Sequence, residues 1–482
     1  MKAITLIAAI LTLAVSAFCQ TAELRDVQLR IQDAVNAYNT GKVDEATKQF
    51  EELYRENPES ADVLAWLGFL YLRGDQAAKA VPILEKASEK RPNDLEVTIN
   101  LGNAYLQSDQ DDKALRQYEK VSAAKPDMFE GWYNIGNIHL RRKDYGKAIE
   151  AYDRAGRLKV DDPFVQNNLG VAHEAQGRDD QASTHFMRAS ELRPEHKTFA
   201  RNAGAALLRT KKSDQAIKFL ERAYRLDPND GNLALALGDA YSRLNRRDDA
   251  LRLYESQKEN MADNHALWFN LGVLRGFKSD RAGAEQAYRR ALEIKPDDLD
   301  TLNNLGLILF NSGRYEEAQS TFDKLSGLNP SSREAKLNLA AAASRNGDFN
   351  KAIPIWREVL RAEPNRTSIR LSLANALWTT GDFEGAKGHY QQILASEKNN
   401  ADALNGMGLY HLRNNKLPQA EGAFRAAIAA SPRHVSAINN LAITLERLNK
   451  RQDAIRLLER ALQIEPNNKD AKQNLERMRS AG

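Results

Sequence analysis

The chain repeats a pattern every 34 residues, and this period constrains its fold more than any other feature. Steps of 34 from Gly136 reach only glycine or alanine: Ala34, Gly68, Gly102, Gly136, Gly170, Gly204, Gly238, Gly272, Gly306, Ala340, Ala374, Gly408 and Ala442. Steps of 34 from Ala148 reach only alanine, and the residue four places later is always aromatic or leucine. Because no insertion interrupts the period between residues 27 and 468, the sequence predicts a stack of thirteen similar units rather than one ordinary core.

Each unit is predicted to be a pair of antiparallel helices. Small residues such as Gly136 and Ala148 allow two helices to approach closely, and Tyr152, one turn after Ala148, fills the space beside them. A proline near the end of ten units cannot continue a helix, and the Asp or Asn that follows can cap the next one, as at Asp94 and Asp230. One pair cannot bury its own apolar face, so the pairs are expected to stack.

This pattern resembles the tetratricopeptide repeat family, whose signature has a large residue, Leu-Gly and Tyr in helix A, and Ala, an aromatic and Ala in helix B. Residues 131–158 supply the matching set: Trp132, Ile135, Gly136, Ala148, Tyr152 and Ala155. The resemblance covers residues 27–468. It implies an all-α fold, a right-handed α-solenoid superhelix of tandem helix-turn-helix repeats, with the A helices on the concave side. Residues 469–482 are expected to form a C-terminal capping helix.

Three repeats lack the proline, where Val160, Ala262 and Lys398 stand instead. Repeat 7 also has Gln257 at a position where alanine or a hydrophobic residue is usual. These are either soft joints or tolerated variation in a redundant array.

The first residues predict a signal peptide over 1–20, cleaved between 17 and 22. Lys2 precedes an apolar run at 3–15, which is too short to span a membrane, and small residues follow it. We expect no lipid anchor on Cys19, because Phe18 stands where a lipoprotein signal has a small residue. No later stretch is apolar enough to cross a membrane. The expected location is therefore the periplasm or the exterior, and similar arrays in a bacterial periplasm serve envelope assembly or export.

Composition and motifs argue against several classes of function. The balance of 69 basic and 65 acidic residues shows no excess of positive charge for binding nucleic acid, and a single cysteine excludes a disulfide framework and a cysteine zinc site. No phosphate loop, nucleophile elbow or His-Glu-x-x-His motif is present, so no enzyme activity and no cofactor are expected. His139 and His173 stand where the family has Tyr; without a third ligand, we expect packing rather than a metal site.

Two rows of polar side chains are the candidate binding residues. With Gly136 at position 8 of its repeat, positions 2, 6, 9 and 13 share one face of helix A. Position 6 is asparagine at Asn100, Asn134, Asn168, Asn202, Asn270, Asn304, Asn338 and Asn440. Position 13 is arginine at Arg73, Arg141, Arg209, Arg243, Arg345, Arg413 and Arg447. We call these the asparagine row and the arginine row.

An amide can pair with a peptide group in both directions, and arginine can pair with carboxylates. The asparagine row resembles the ladder in the repeat domain of O-linked N-acetylglucosamine transferases. The amides could equally bond neighbouring helices, and the arginines could be merely solvated. The neighbouring residues Tyr133, Phe269, Phe310 and Trp378 are either groove anchors or packing. A carboxylate clamp of the chaperone-binding type is excluded, because no repeat has lysine at position 5.

The sequence therefore predicts a non-catalytic scaffold that binds a protein partner, in the form of an extended segment, in its concave groove. The alternative is an anionic polysaccharide held by the arginines during export, which strong salt dependence would favour.

Overall fold

A computed structural model describes residues 25–480, and all regular structure within that range is helical. The chain divides into two compact units, Met1–Leu253 and Tyr254–Gly482, and the division falls in repeat 7. The predicted signal peptide and Cys19 lie outside the described residues. Within 25–480, no helix is both long and apolar enough to cross a membrane.

Odd-numbered helices are the A helices of the repeats and even-numbered helices are the B helices. The first unit contains α1 (25–39), α2 (Val43–Glu56), α3 (Ala61–Arg73), α4 (Ala77–Lys90), α5 (Leu95–Gln107), α6 (Asp111–Ala124), α7 (Phe129–Arg141), α8 (Tyr145–Leu158), α9 (Pro163–Ala175), α10 (Asp179–Leu192), α11 (Lys197–Arg209), α12 (Ser213–Leu226) and α13 (Gly231–Arg243). Helix α14 (Arg247–Ser256) contains the division between the units. The second unit continues with α15 (His265–Phe277), α16 (Arg281–Ile294), α17 (Leu299–Asn311), α18 (Tyr315–Leu328), α19 (Arg333–Arg345), α20 (Phe349–Ala362), α21 (Thr367–Thr379), α22 (Phe383–Ser396), α23 (Ala401–Arg413), α24 (Leu417–Ala430), α25 (Val435–Arg447), α26 (Arg451–Ile464) and α27 (Lys469–Ser480).

The predicted all-α solenoid of helix pairs is confirmed. The two helices of a pair approach closely where a glycine of the A helix faces a large side chain of the B helix, as the sequence predicts. A Cβ atom built on Gly136 would lie 2.6 Å from the ring of Tyr152, which is fully buried, and one on Gly170 would lie 2.7 Å from Phe186. Because a methyl group does not fit at Gly136 or Gly170, glycine sets the distance between the A and B helices in these two repeats.

The links between repeats use the predicted caps. The carboxylate of Asp94 accepts hydrogen bonds from the backbone N–H of Glu96 and Val97, at 3.0 and 3.2 Å. Asp230 does the same for Asn232 and Leu233, at 3.1 and 3.2 Å. These bonds satisfy donors that the first turn of a helix leaves free, so each A helix begins at a defined residue.

The turn inside each repeat has a feature that the sequence analysis missed. Its middle residue, position 15, has a positive φ in all thirteen repeats: Gly41, Asp75, Asp109, Lys143, Gly177, Lys211, Asn245, Ser279, Gly313, Gly347, Gly381, Asn415 and Asn449. Only five of these residues are glycine. The left-handed conformation is therefore imposed by the packing of the two helices and not selected by residue type alone.

The irregular repeats differ locally from the rest. The B helix of repeat 7, α14, has 10 residues where the other B helices have 14, and the 5% exposed side chain of Gln257 follows its end. In repeat 4, Val160 is 72% exposed and the next residue, Asp161, has a φ of 70°. Helix α27 packs as a further A helix, through Ala471, Leu475 and Met478.

Candidate functional site

The A helices line the inner side of each unit. Successive A helices contact each other, as α3 does with α5 in the first unit and α23 with α25 in the second. Successive B helices in the described part of the chain make no comparable contact. A stack whose A helices lie closer together than its B helices must curve towards the A helices. Positions 2, 6, 9 and 13 of the A helices are therefore inner-face positions.

All eight members of the asparagine row are half-buried on this face. A side-chain hydrogen bond of 2.9–3.1 Å recurs between position 6 of one repeat and position 5 of the repeat before it: Asn202 to Asn167, Asn338 to Asn303, and Asn440 to Asn405. Asn474 of α27 donates in the same way to Asn439, at 3.0 Å. These amides therefore bond neighbouring helices, which was one of the two hypotheses for the asparagine row. The part of each amide that faces the solvent stays accessible.

Other members of the asparagine row meet a tyrosine of the preceding repeat. Asn168 donates from Nδ2 to the hydroxyl of Tyr152 and to Oδ1 of Asn137, at 3.2 Å in both cases. The Tyr152 hydroxyl in turn donates to Asn137 at 2.7 Å. Asn167 donates to Asn168, so a continuous polar network runs through repeats 4 to 6 and ends at Asn202. Such a network holds its side chains in fixed positions.

The remaining contacts of the row are fewer. Asn270 lies 3.4 Å from the hydroxyl of Tyr254, and Asn304 is hydrogen-bonded to Tyr288. Asn134 accepts a long bond of 3.4 Å from Asn137. No side chain in residues 25–480 is hydrogen-bonded to that of Asn100.

The arginine row is exposed along its whole length. Four members bond to residues of the same or the preceding repeat at 2.7–3.3 Å: Arg141 with Asp109 and Asp111, Arg209 with Glu174 and Asp179, Arg243 with Asp239, and Arg447 with Asn415. The guanidinium of Arg413 lies over the ring of Phe383, 3.6 Å from its centroid. Among the described residues, no side chain pairs with Arg73 or Arg345. Since exposed ion pairs contribute little to stability, the paired arginines could still exchange partners.

The four inner-face aromatics pack on other rings. Tyr133 stacks on Phe129, Phe269 tilts against Tyr288, Phe310 meets Tyr315 edge-on, and Trp378 meets Phe383 edge-on, with centroids 4.9–6.1 Å apart. All four are half-buried, so each also keeps an exposed part. Packing is therefore part of their role, and an anchoring role stays a prediction.

The histidines at position 11 fill core space. His139 and His173 are only 8% and 6% exposed, and their Nδ1 atoms have no hydrogen-bond partner. The ring of His173 lies parallel to that of His185, with centroids 5.3 Å apart. Burial lowers the pKa of both His173 and His185, so both are neutral at pH 7. Among residues 25–480, no group of three or more His, Cys, Asp or Glu side chains is placed to hold a metal ion.

Tyrosine at the same position makes a contact that the sequence analysis missed. Its hydroxyl donates to the glutamate twenty residues earlier, in the preceding B helix, at 2.6–2.9 Å: Tyr71 to Glu51, Tyr105 to Glu85, and Tyr241 to Glu221. Burial, followed by this hydrogen bond, raises the pKa of Tyr71 and of Tyr241 to about 12. The constant separation of twenty residues was the signal that could have revealed these pairs.

Family models agree with this architecture. Models described as tetratricopeptide repeat match residues 37–94, 99–163, 166–231, 207–271 and 255–399. A model of the middle tetratricopeptide-like domain of cilia and flagella-associated protein 70 matches residues 370–478. The chain is a tetratricopeptide repeat protein. Its repeats place it among protein-interaction scaffolds, a class of fold that is typically non-catalytic.

Solved structures with similar chains span several kinds of tetratricopeptide repeat protein. A chain of the APC/C hetero-tetramer Cut9-Hcn1 is 13% identical, with 94% of this chain and 95% of that chain covered and a TM-score of 0.37. YrrB, described as a tetratricopeptide repeat protein with an unusual peptide-binding site, is 20% identical over 38% and 95% of the two chains, with a TM-score of 0.35. A repeat protein from Parabacteroides merdae is 14% identical over 52% and 98%, with a TM-score of 0.38. No curated protein matches the chain.

Proposed function

We propose that this protein is an exported, non-catalytic scaffold that binds an extended segment of a protein partner on the inner face of its A helices. The observation that carries the proposal is the fixed yet accessible state of the inner-face amides. Asn168, Asn202, Asn338 and Asn440 are each held by a bond to the preceding repeat and remain partly exposed. Side chains that are already ordered lose little entropy when a ligand binds, and weak contacts add along the stack.

A matched pair of leucines in repeat 9 tests the location of binding. Leu307, at inner-face position 9 of α17, is 37% exposed, and Leu328, at the end of α18, is 43% exposed. Neither residue is in the core, so replacement by lysine should preserve the fold, which circular dichroism would check. Partners from a cell-envelope extract would be captured on the full mature chain and identified by mass spectrometry. Loss of a partner by L307K but not by L328K is the expected result; equal capture by both variants would contradict inner-face binding.

The export part of the proposal rests on the N-terminal sequence alone, with Lys2 and the apolar run at 3–15. The mass of the protein isolated from its natural source should correspond to cleavage between residues 17 and 22. An uncleaved chain in the cytosolic fraction would refute export. Envelope assembly or export machinery is the corresponding context for its partners.

Binding of an anionic polysaccharide has narrower support. The observation that supports it is that Arg73 and Arg345 pair with no other described side chain. The arginines at 141, 209 and 243 already contact carboxylates. Retention on immobilised alginate that falls steeply between low and physiological salt would favour it over a protein partner.

A further inference from the structure

A cavity of about 410 Å³ opens on the inner face between α3 and α5, in repeats 2 and 3. Seven of its lining residues carry its chemistry: Asp62, Trp66, Phe69, Arg91, Asp94, Glu96 and Asn100. It lies at the N-terminal ends of two successive A helices. Three features of this part of the inner face bear on binding: an aromatic wall, a free amide and a negative rim.

The aromatic wall is rigid. Trp66 and Phe69 meet edge-on, with ring centroids 5.7 Å apart. Tyr38 packs against both rings at 5.8 and 5.4 Å, and buried Phe50 stacks beneath Trp66 at 5.8 Å. Trp66 occupies position 6, where eight other repeats have asparagine. A half-buried indole fixed by three rings presents a flat apolar surface that needs no reordering to receive a ligand.

The opposite wall carries an amide that nothing else uses. In six of the other seven members of the asparagine row, position 6 finds a partner at position 5 or position 24 of the preceding repeat, as Asn202 does at Asn167. For Asn100 those two positions hold Ala65 and Leu84, neither of which has a side-chain acceptor. Asn100 is half-buried, and its side chain has no hydrogen-bond partner among residues 25–480. A free primary amide matches the N–H and C=O groups of an extended peptide.

The rim is negative. Three carboxylates, those of Asp62, Asp94 and Glu96, and one guanidinium, that of Arg91, line the cavity. Arg91 is bonded to Asp62 and lies 3.6 Å from Asp94, so its charge is already compensated. The exposed carboxylate of Glu96 forms no ion pair with any described residue. The cavity therefore attracts cations and repels anions.

We propose that this cavity binds a short stretch of a protein partner in which an apolar side chain stands beside a lysine or arginine. The apolar side chain packs on Trp66 and Phe69, the cation pairs with Glu96, and Asn100 bonds the backbone between them. The proposal rests on the inner-face function proposed above and locates one anchor within it. An acidic sugar is disfavoured because the rim would repel it.

The test uses the full mature chain and an array of immobilised twelve-residue peptides. Each peptide carries one Ala, Leu or Phe beside one Lys, Arg, Asp or Glu in a Gly-Ser background. At low salt, peptides with Leu or Phe beside Lys or Arg should bind at least about tenfold more tightly than the peptides with Asp or Glu in the same place. This ratio of affinities should decrease at high salt. E96K should abolish that preference. The matched control is E130K. Glu130 occupies position 2 of α7, as Glu96 does in α5, and it is also exposed.

Two further variants address the wall and the amide. W66L keeps an aliphatic wall but removes the indole, and N100L removes the amide. Each variant should bind the peptides with Leu or Phe beside Lys or Arg about tenfold more weakly than the parent does. If W66L fails to fold, E96K on the exposed rim still decides the question.

The contrary outcomes are distinct. Equal binding of basic and acidic peptides, no binding of any peptide, or identical behaviour of E96K and E130K would each overturn the proposal. Binding of alginate that W66L abolishes would also overturn it, in favour of a carbohydrate. If L307K, and not E96K, loses the peptides, this anchor is wrong while inner-face binding stands. If partner capture is also insensitive to L307K, both proposals fail.

Discussion

Replacing Gly408 with alanine tests whether glycine sets the spacing of the two helices in a repeat. A Cβ at Gly408 would lie 2.6 Å from Cδ1 of Phe424, whose side chain is 0% exposed. Overpacking of this kind costs about 1–3 kcal/mol. Alanine recovers at most about 1 kcal/mol in helix propensity. The net expectation is a destabilisation of about 0–2 kcal/mol.

Gly422 provides a control within the same repeat. It is exposed on α24, and a Cβ there would meet nothing within 4 Å. Alanine at this site gains the helix propensity without a clash and should stabilise by up to about 1 kcal/mol. Glycine-to-alanine replacement is therefore predicted to destabilise at Gly408 and to stabilise at Gly422, with the two variants about 1–3 kcal/mol apart.

Hydrogen exchange with peptide-level mass spectrometry is the appropriate assay, because thirteen stacked repeats do not unfold as one two-state unit. Amides of α23 and α24 should exchange roughly tenfold faster in G408A and a few times slower in G422A than in the parent, since about 1.4 kcal/mol corresponds to a factor of ten. If G408A exchanges as slowly as G422A, the ring of Phe424 has room to move and the spacing argument fails.

Three other substitutions have defined expectations. Lys143→Gly should stabilise repeat 4 by about 1 kcal/mol, because φ is 63° there, and should slow hydrogen exchange in α7 and α8 about fivefold; faster exchange would show that the turn is unstrained. Burial alone would raise the pKa of Asp298, but hydrogen bonds from Lys295 and Thr301 outweigh it and hold the pKa at about 2. The charge therefore stabilises the fold above about pH 4, and the stability difference between D298N and the parent should close as the pH falls from 4 to 2; a constant difference would contradict this. Tyr152→Phe removes the 2.7 Å bond to Asn137 and should cost about 1 kcal/mol, measured as faster exchange in α7; unchanged exchange would mean that Asn168 fully replaces it.

Much of the fold follows from the sequence because the period carries the physical constraints. Gly136, Ala148 and Tyr152 must be small, small and large wherever two helices pack at this distance, so their recurrence predicts the helix pair. The turn could not be predicted in the same way. Position 15 is Lys in repeat 4, Asp in repeat 3 and Ser in repeat 8, yet the backbone is left-handed in all three. There the packed helices determine the conformation, and the residue type only adjusts its cost.

The candidate site was less predictable, because a row of polar residues does not reveal its partners. Asn202 was selected for its position, but its bond to Asn167 depends on a residue in another repeat. The pairing is visible in hindsight as asparagines 35 residues apart, and the same separation joins Asn440 to Asn405. Whether the exposed edges of these amides also bind a partner stays a prediction.

Asn100 and Asn202 differ in the residue at position 5 of the preceding repeat, which is Ala65 for Asn100 and Asn167 for Asn202. The partner of the amide at position 6 stands at position 5 or position 24 of the preceding repeat, so Ala65→Asn should give Asn100 the acceptor that Asn167 gives Asn202. The new bond should stabilise the junction of α3 and α5 by about 1 kcal/mol, seen as about fivefold slower exchange there. It should also lower the affinity for peptides with Leu or Phe beside Lys or Arg by a similar factor, because Asn100 would have to break its new hydrogen bond before it could bond the peptide. The reciprocal change, N167A, should free Asn202 and speed exchange in α11. If A65N slows exchange and leaves peptide binding unchanged, Asn100 takes no part in the cavity's recognition, and the preference for basic peptides must rest on Glu96 and the aromatic wall alone.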